Sequence, residues 1–536
     1  MLMAVILVFT MAACTAKENA GKESTEGKDN GEKGGEKVLY LNNGQEPTSF
    51  DPPIGFDSAS WNALNNLMEG LTRLGKDHQP EAATAEKWDV SEDGKTYTFH
   101  IREDAKWSNG DDVTANDFVF AWKRLLDPAT GSAAAFLGYF IEGGEDFNSG
   151  KGSADNVKVK AVDDKTFEVT LISPQAYFLS VIANPAFFPI NEKVAKENPK
   201  WFSEAKSFVG NGPFNLASWE HDTKFVMKKN DKYWDAKNVK LDRVEWAIVD
   251  DTNTEYQMYQ AGDLDVSDVP AELSDKLFKD GKVKVDDQAG DYFYRFNVTK
   301  EPFQNLNIRK AFALAVDQQK IVDFVTKNKE EAAYGFVSPG FKDPSGKDFR
   351  EVNGDFNKTD IEEAKALLKK GMEEEGYTKL PDVTLTYSTD DTHKKIAEAL
   401  QQMFKENLDV EVKLANMEWN VFAEEQKALK HQLSRSSFLA DYADPINFLE
   451  NFQTGHSMNR TGWGNPKYDE LIQKAKNESD ETKRFDLMYE AEKILFEEAP
   501  IFTVHFYNQV YLQNEAVSDV LRHPVGYMEL KWADKK

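Results

Sequence analysis

Short stretches of alternating apolar and polar residues, bounded by turn formers, recur along the chain and read as half-buried strands. Val38-Leu-Tyr-Leu41 opens the series and gives way to a turn-rich loop over 42–53. A turn at Asp93-Gly94 precedes Tyr97, Phe99 and Ile101, whose period of two points one face of a strand inward. Helical spacing alternates with these runs. Over 61–71, Leu64, Leu67, Met68 and Leu71 share one face, and 115–124 begins after Thr114, a natural N-cap. Another helix is expected over 360–370, where Thr359-Asp-Ile-Glu362 matches a capping box.

The pattern sharpens in the last third. Val383, Leu385 and Tyr387 alternate; then Ile396, Leu400, Met403 and Phe404 mark a helical face over 392–405, and Val410, Val412 and Leu414 alternate again. A strand-helix-strand order implies a parallel pair with a helical crossover, and ligands of such units sit beyond the carboxyl ends of the strands. His393 falls in the first turn of that helix, where backbone N–H groups favour anions. By itself it is equally a solvated histidine. No internal repeat of 20 to 50 residues interrupts this α/β order.

The N-terminus is different in kind. Residues 2–13 are apolar or small, too short to span a bilayer, which needs about 20 residues, and close to the length of a secretory core segment. We read 1–13 as a signal peptide. It ends in Met11-Ala-Ala-Cys14, the only cysteine of 536 residues, and small residues directly before a lone cysteine resemble a bacterial lipoprotein processing site. No Lys or Arg precedes Lys17, so the basic segment of a signal peptide is expected further upstream. Residues 14–37 hold no apolar side chain larger than Ala and should form a flexible tether from a lipidated Cys14. With one cysteine there is no disulfide framework.

Roughly 500 residues remain, enough for about three domains. A formal charge of −27 argues against nucleic acid and against a polybasic membrane contact. Catalytic constellations are missing too. There is no His-Glu-x-x-His, no Gly-x-Ser-x-Gly and no Walker phosphate loop, and the eight histidines form no close pair in sequence. Ser203-Glu-Ala-Lys206 lacks its partner motifs. Asp263-Leu-Asp-Val-Ser-Asp268 lacks the Gly and Glu of a calcium loop and reads as a strand edge and turn.

Candidate binding chemistry concentrates in 433–450, where Arg435, Phe438 and Asp441 follow one another. Asp441, and Asp444 before Pro445, also satisfy ordinary turn chemistry. Yet Arg435 and Asp441 suit opposite ends of a zwitterion such as a free peptide, whose two charges each need a counter-charge in a closed cleft.

The run TYTFHIREDAKWSNGDDVTANDFVFAWKRLLDP at 96–128 resembles the extracellular solute-binding proteins of peptide and nickel importers, family 5, above all the oligopeptide-binding lipoproteins. EPTSFDP at 46–52, NGPFNLASW at 211–219, KNDKYWD at 229–235, YQAGDLDVS at 259–267, NIRKAFALAVDQQKIV at 307–322 and LADYADPINFLENF at 439–452 follow in the family's order. The resemblance implies an α/β, periplasmic-binding-protein-like type II fold: two lobes with mixed sheets flanked by helices, plus a third domain. Domain I would comprise 38–68, 190–286 and 508–536, domain II 69–189 and domain III 287–507.

It further implies roles for individual residues. Asp441 would pair with a peptide's α-ammonium, while Arg435 and His393 would serve its carboxylate end. Ser437 and Leu439 would offer backbone groups, and Trp419 and Phe438 would wall side-chain pockets, although aromatics are more often core. Phe56, Asp57 and Ser58 match a loop that touches the first ligand residues. Relatives commonly carry Trp where Phe438 stands and a basic residue near Gln426, which is absent here. The implied protein is a monomeric receptor that needs no cofactor, metal or catalytic residue. It is lipid-anchored on the outer face of the cytoplasmic membrane, at a Gram-positive cell surface, and delivers short peptides to the permease and ATPase subunits of an ABC importer. A dipeptide, nickel-chelate or heme carrier is the alternative within the binding class, and a surface peptidase the alternative outside it. Replacing Cys14→Ser should move the protein from the membrane to the soluble fraction of fractionated cells; persistence in the detergent phase would count against lipidation.

Overall fold

The computed structural model describes residues 35–536, so the expected signal peptide, Cys14 and all but the end of the tether lie outside the described residues. Strand β1 (Val38–Asn42) leads through a loop to helix α1 (Ser58–Leu67). Strands β2 (Ala85–Val90), β3 (Thr96–Ile101), β4 (Val159–Asp163) and β5 (Thr166–Thr170) form an antiparallel sheet in the order β2-β3-β5-β4, against which helix α2 (Ala115–Leu126) packs. Strands β6 (Phe214–Glu220), β7 (Lys224–Lys229) and β8 (Arg243–Ala247) return to β1, giving the order β1-β8-β7-β6 with β1 and β8 parallel.

The remainder builds around one larger sheet. Helix α3 (Thr252–Ala261), β9 (Val266–Asp268) and the long β10 (Val283–Phe296) are followed by α4 (Ile361–Glu375), β11 (Val383–Ser388), α5 (Asp391–Leu408), β12 (Val412–Met417), α6 (Trp419–Lys427), β13 (Leu433–Leu439), α7 (Glu481–Glu498) and β14 (Ile501–Gln513). Six of these strands lie in the order β9-β14-β10-β13-β11-β12. The expected strand-helix-strand unit is β11-α5-β12, with β11 and β12 parallel. β13 joins β11 in parallel and β10 antiparallel.

Alternation along β10 and β13 separates two cores. Tyr292, Tyr294 and Phe296 of β10, with Leu433 of β13, face the cluster that includes Ile396, Leu400 and Phe404 of α5. Phe293 of β10 and Phe438 of β13 face the opposite cluster, with Phe336, Phe448 and Phe452. β10 and β14 pair along both halves of their length, but their register shifts between Asp287 and Asp291 and again between Tyr292 and Phe293. Bulges of this kind bend a strand pair and increase its local twist.

Several sequence expectations land and others move by a definite cause. Tyr97, Phe99 and Ile101 are buried, and Thr114 caps α2, its backbone N–H donating to the Asp117 carboxylate at 2.9 Å. The helix expected over 61–71 stops at Leu67, because Gly212 N–H donates to the Leu67 carbonyl at 3.0 Å and Asn211 accepts from Glu69 N–H. Side-chain-free Gly212 allows that approach, since a Cβ there would stand 2.6 Å from the Leu67 carbonyl carbon. The capping box at Thr359 and Glu362 does not form. Thr359 Oγ1 donates to the Val316 carbonyl at 2.7 Å, and Asp360 caps α4 by accepting from Glu363 N–H. Val410 precedes rather than opens β12.

One buried carboxylate fixes the loop behind the central strands. Glu492, fully buried on α7, accepts from both terminal nitrogens of Arg350 at 2.6 Å, from Asn353, and from the backbone N–H groups of Phe336 and Val337. That clamp sets Phe336 against Phe293, Phe438 and Phe452. Replacing Glu492→Ala leaves Arg350 buried and unpaired, so unfolding in urea should show a loss of about 3–5 kcal/mol.

Candidate functional site

A cleft of about 720 Å³ runs between the segments after β1, α1 and α3 on one side and the bulged middle of β10 and the end of β13 on the other. Asp57, Ser58, Leu439 and Asp441 line it. The odd-numbered residues of β13 face one side of the sheet and the even-numbered ones the other, by the period of two. Register agrees: Arg435 opposes Tyr294 and Ser437 opposes Tyr292 on one face, while Phe438 opposes Asp291 on the other. Arg435, Ser437 and Leu439 therefore share a face.

The backbone of this strand is as informative as its side chains. β11 pairs with β13 only at Leu433 and Ser434. Beyond them no described strand takes the outer edge of 435–439, so that stretch presents peptide groups able to accept an added strand. Gln426 covers the start of that edge, its amide donating to the Arg435 carbonyl at 2.9 Å.

Asp441 stands at the carboxyl end of the edge with its own backbone clamped. Its N–H donates to Asn447 Oδ1 at 2.7 Å, and its carbonyl accepts from the Tyr527 hydroxyl at 3.0 Å. The Tyr527 hydroxyl in turn accepts from the Asn184 amide at 2.8 Å. The Asp441 carboxyl joins no ion pair among the described residues, and burial, then the nearby Glu450, push it up to about 6. Asp444 does what its place before Pro445 suggests, accepting from Ile446 N–H at 2.9 Å, and it also pairs with Arg484. The two aspartates have separate tasks.

Arg435, only 8% exposed, likewise has no carboxylate within ion-pair distance among the described residues. Its guanidinium lies 4.8 Å over the Tyr292 ring, Nη2 donates weakly to the Tyr507 hydroxyl at 3.5 Å, and Nε has no partner. Tyr292 also stacks on His505, with ring centroids 5.1 Å apart, and its hydroxyl lies 3.3 Å from His393 Nδ1. His393 occupies the first turn of α5, whose cap is Asp390. Burial first and Arg435 second lower its pKa to about 4 despite Asp390, so the ring is neutral at pH 7. The pair Arg435 and His393 is thus one buried cation beside one neutral donor and acceptor, which suits a carboxylate.

Of the residues expected at the site, Asp441, Leu439, Asp57 and Ser58 line the cleft, whereas Arg435, His393, Ser437, Trp419, Phe438 and Phe56 lie outside its lining. Trp419 begins α6 and is 54% exposed, and Leu439, which lines the cleft, is 51% exposed. Phe438 is buried against Phe448 and Phe336, with centroids at 5.1 Å and 6.4 Å, on the sheet face away from Arg435. Phe56 packs edge-on against Trp61 and Phe136 and does not line the cleft. Asp57 caps α1, accepting from Ser60 N–H at 2.9 Å, while Ser58 is the first residue of that helix. Tyr292, Tyr507, Tyr527 and Asn447 escape a reading of the sequence, because nothing in their local pattern separates them from core or loop. Histidines distant in sequence do meet: His78 and His523 bring their Nδ1 atoms to 3.0 Å, and burial lowers both pKa values. Among the described residues no group of three or more His, Cys, Asp or Glu could hold a metal ion.

The description "Bacterial extracellular solute-binding proteins, family 5 Middle" matches residues 79–460. The chain is 66% identical over 529 residues to the dipeptide-binding protein DppE of Bacillus subtilis, covering 99% of this chain and 97% of that protein. Among solved structures it is similar to the periplasmic murein tripeptide-binding protein MppA in its unliganded open form, with a TM-score of 0.83 at 29% identity over 94% of this chain and 98% of the other. It is also similar to OppA of Listeria monocytogenes bound to peptide, with a TM-score of 0.73 at 34% identity, covering 94% and 99%. Replacing Arg435→Met removes the charge that opposes protonation of His393. The His393 pKa, followed by NMR of the ring protons, should rise from about 4 and stay below the ordinary histidine value, since burial is the larger cause.

Proposed function

The chain belongs to the bacterial extracellular solute-binding proteins of family 5, whose type II periplasmic-binding-protein-like fold it shares, and from that premise we propose that it captures short peptides and delivers them to an ABC importer. The observation that carries this reading is a pair of unpaired charges, Arg435 and Asp441, at the two ends of one open strand edge. Main-chain groups along 435–439 hold the peptide as an added strand, so binding depends little on side-chain sequence. Asp441 takes the α-ammonium; Arg435, helped by neutral His393, takes the carboxylate. Strand geometry sets their Cα atoms roughly 20 Å apart. With side chains reaching inward from both ends, the space suits a peptide of about three to five residues. Ser437, Leu439, Asp57 and Ser58 border the ligand, and Trp419, Phe438 and Phe56 serve it as walls or backing. The chain acts as a receptor and not as an enzyme.

Closure around the ligand follows from the connections. The three sheets support a division into domain I (38–68, 190–286, 508–536), domain II (69–189) and domain III (287–507). β10 and β14 cross from I to III at the shifted register between Asp287 and Asp291, where a strand pair bends most readily. Greater likeness to an unliganded open relative than to a peptide-bound one, although identity runs the other way, supports an open resting state. Lipidation at Cys14 keeps the receptor at the outer face of the cytoplasmic membrane, beside its permease and ATPase partners.

Asp441 makes the reading testable. Its carboxyl titrates at about 6 in the empty cleft, and a docked ammonium favours the charged form. Trialanine affinity, measured by calorimetry, should therefore be highest between about pH 6 and the peptide's α-ammonium value of roughly 8, and fall as pH drops through about 6. Asp441→Asn should weaken binding by roughly 100-fold at pH 7.5, the scale of a buried charge pair losing one partner, and flatten the pH dependence. Unchanged affinity in that variant would remove Asp441 from the site.

A further inference from the structure

Asp441 is held in place partly by residues that do not line the cleft. Its carbonyl accepts from the Tyr527 hydroxyl, which has one proton to donate. The direction of that proton is set further back. Asn184, fully buried, caps the short turn of helix Pro185–Phe187, its Oδ1 accepting from Ala186 N–H at 2.9 Å. Its amide nitrogen therefore faces Tyr527 and donates to the hydroxyl at 2.8 Å. With a donor already on its oxygen, the hydroxyl commits its proton to the Asp441 carbonyl, and each bond of the chain strengthens the next.

A second tie reaches the next residue. Tyr442 lies flat on Tyr177, with ring centroids 5.1 Å and planes 9° apart, and both rings are buried. The far end of Tyr442 is pinned as well, its hydroxyl donating to Glu450 Oε1 at 2.7 Å. Arg484, the partner of Asp444, stands 5.7 Å from the Tyr177 ring. Tyr177 and Asn184 flank one short helix, Phe178–Val181, that is built into the unit of β2-β3-β5-β4 and α2. Phe178 packs on Tyr97 of β3 with ring centroids 4.6 Å apart, and Trp122 of α2 donates from its indole N–H to the Phe187 carbonyl at 2.8 Å. Among the described residues none from 69–189 lines the cleft. That unit nevertheless grips the backbone directly after the Asp441 side chain by two separate ties.

We propose that domain II is a positioning body for the ammonium anchor: through Asn184 and Tyr177 it fixes the backbone of Asp441 and Tyr442, so that the Asp441 carboxylate stands where a peptide's α-ammonium arrives. Asn184 and Tyr177 are positioning residues and touch no ligand themselves. This rests on the peptide reading above and gives domain II a part in binding that its absence from the cleft lining conceals. The physical gain is preorganisation. A carboxylate on a backbone already fixed loses less freedom when the ammonium docks.

The test is calorimetry with trialanine on the full chain and its variants. Asn184→Ser keeps a capping oxygen for Ala186 N–H but is too short to reach Tyr527, and Tyr177→Leu removes the stacked ring. Each should weaken binding about tenfold at pH 7.5, the scale of one buried hydrogen bond or ring contact, and shrink by the same factor the fall in affinity below about pH 6. Tyr177→Phe, which keeps the ring, should restore the wild-type values. In an Asp441→Asn background neither substitution should cost anything further, since the residue it positions has lost its charge. The two ties are independent, so either variant suffices where the other perturbs folding. Losses that add to that of Asp441→Asn, an undiminished fall with acid, or unchanged affinity overturn the positioning role and leave the peptide reading standing. Trialanine binding that Asp441→Asn leaves intact overturns the anchor, and this inference with it. Failure of trialanine to bind the unaltered protein overturns the peptide reading as a whole.

Discussion

A charge removed from water needs a partner, and a buried ion left alone costs several kcal/mol, on the order of half a domain's net stability. Several parts of this protein follow that constraint, although the fully buried Asp291 carboxyl has no hydrogen-bond partner among the described residues. Glu492 gathers Arg350, Asn353 and two backbone N–H groups, and through them positions the Phe336 loop. Lys531 and Lys535 of the C-terminal segment meet Asp235 and Asp265, tying that segment to the sheet of β1 and to β9. Two charges, on β13 and just past its end, stand apart from that constraint. Arg435 and Asp441 join no ion pair among the described residues, and on the proposed reading a peptide ligand brings the missing charges.

Such a site can exist because the sheet behind it is braced. β13 shares one face with Tyr292 and Tyr294 and the other with Phe293, so both faces of its first half are buried and only Ser437 and Leu439, toward its end, are accessible. Phe438 shows the division most plainly. Phe438 packs between Phe336 and Phe448, supporting the strand from behind while Arg435, Ser437 and Leu439 face the opposite way. A regularly paired β13 and a shifted register between β10 and β14 lie within a few residues of each other, so the proposed binding edge would stay intact if the connection bends.

Much of the frame was legible beforehand. The β11-α5-β12 unit followed from a change of period, from two to helical and back, and the position of His393 followed from the start of that helix. Capping was legible where a side chain had no competing partner, as at Thr114, and misleading where it had one, as at Thr359, whose hydroxyl turns to the Val316 carbonyl. Helix α1 ended early for a similar reason: Gly212, far along the chain, takes the Leu67 carbonyl. Local pattern has no access to such distant competitors.

The same division applies to the site. Sequence by itself determined that Arg435 and Asp441 sit six positions apart with Phe438 between them, and that the chain is acidic, has one cysteine and holds no His-Glu-x-x-His, Gly-x-Ser-x-Gly or Walker motif. Only the tertiary structure decided which charges remain unpaired, because pairing depends on what other segments bring within a few ångströms. Lys535 reaches Asp265 but not Asp268, Arg484 reaches Asp444 but not Asp441, and Tyr292, from a strand about 140 residues earlier, holds Arg435 in place. Charge, period and motif are local properties of a chain; counter-charge, register and enclosure arise where distant segments meet.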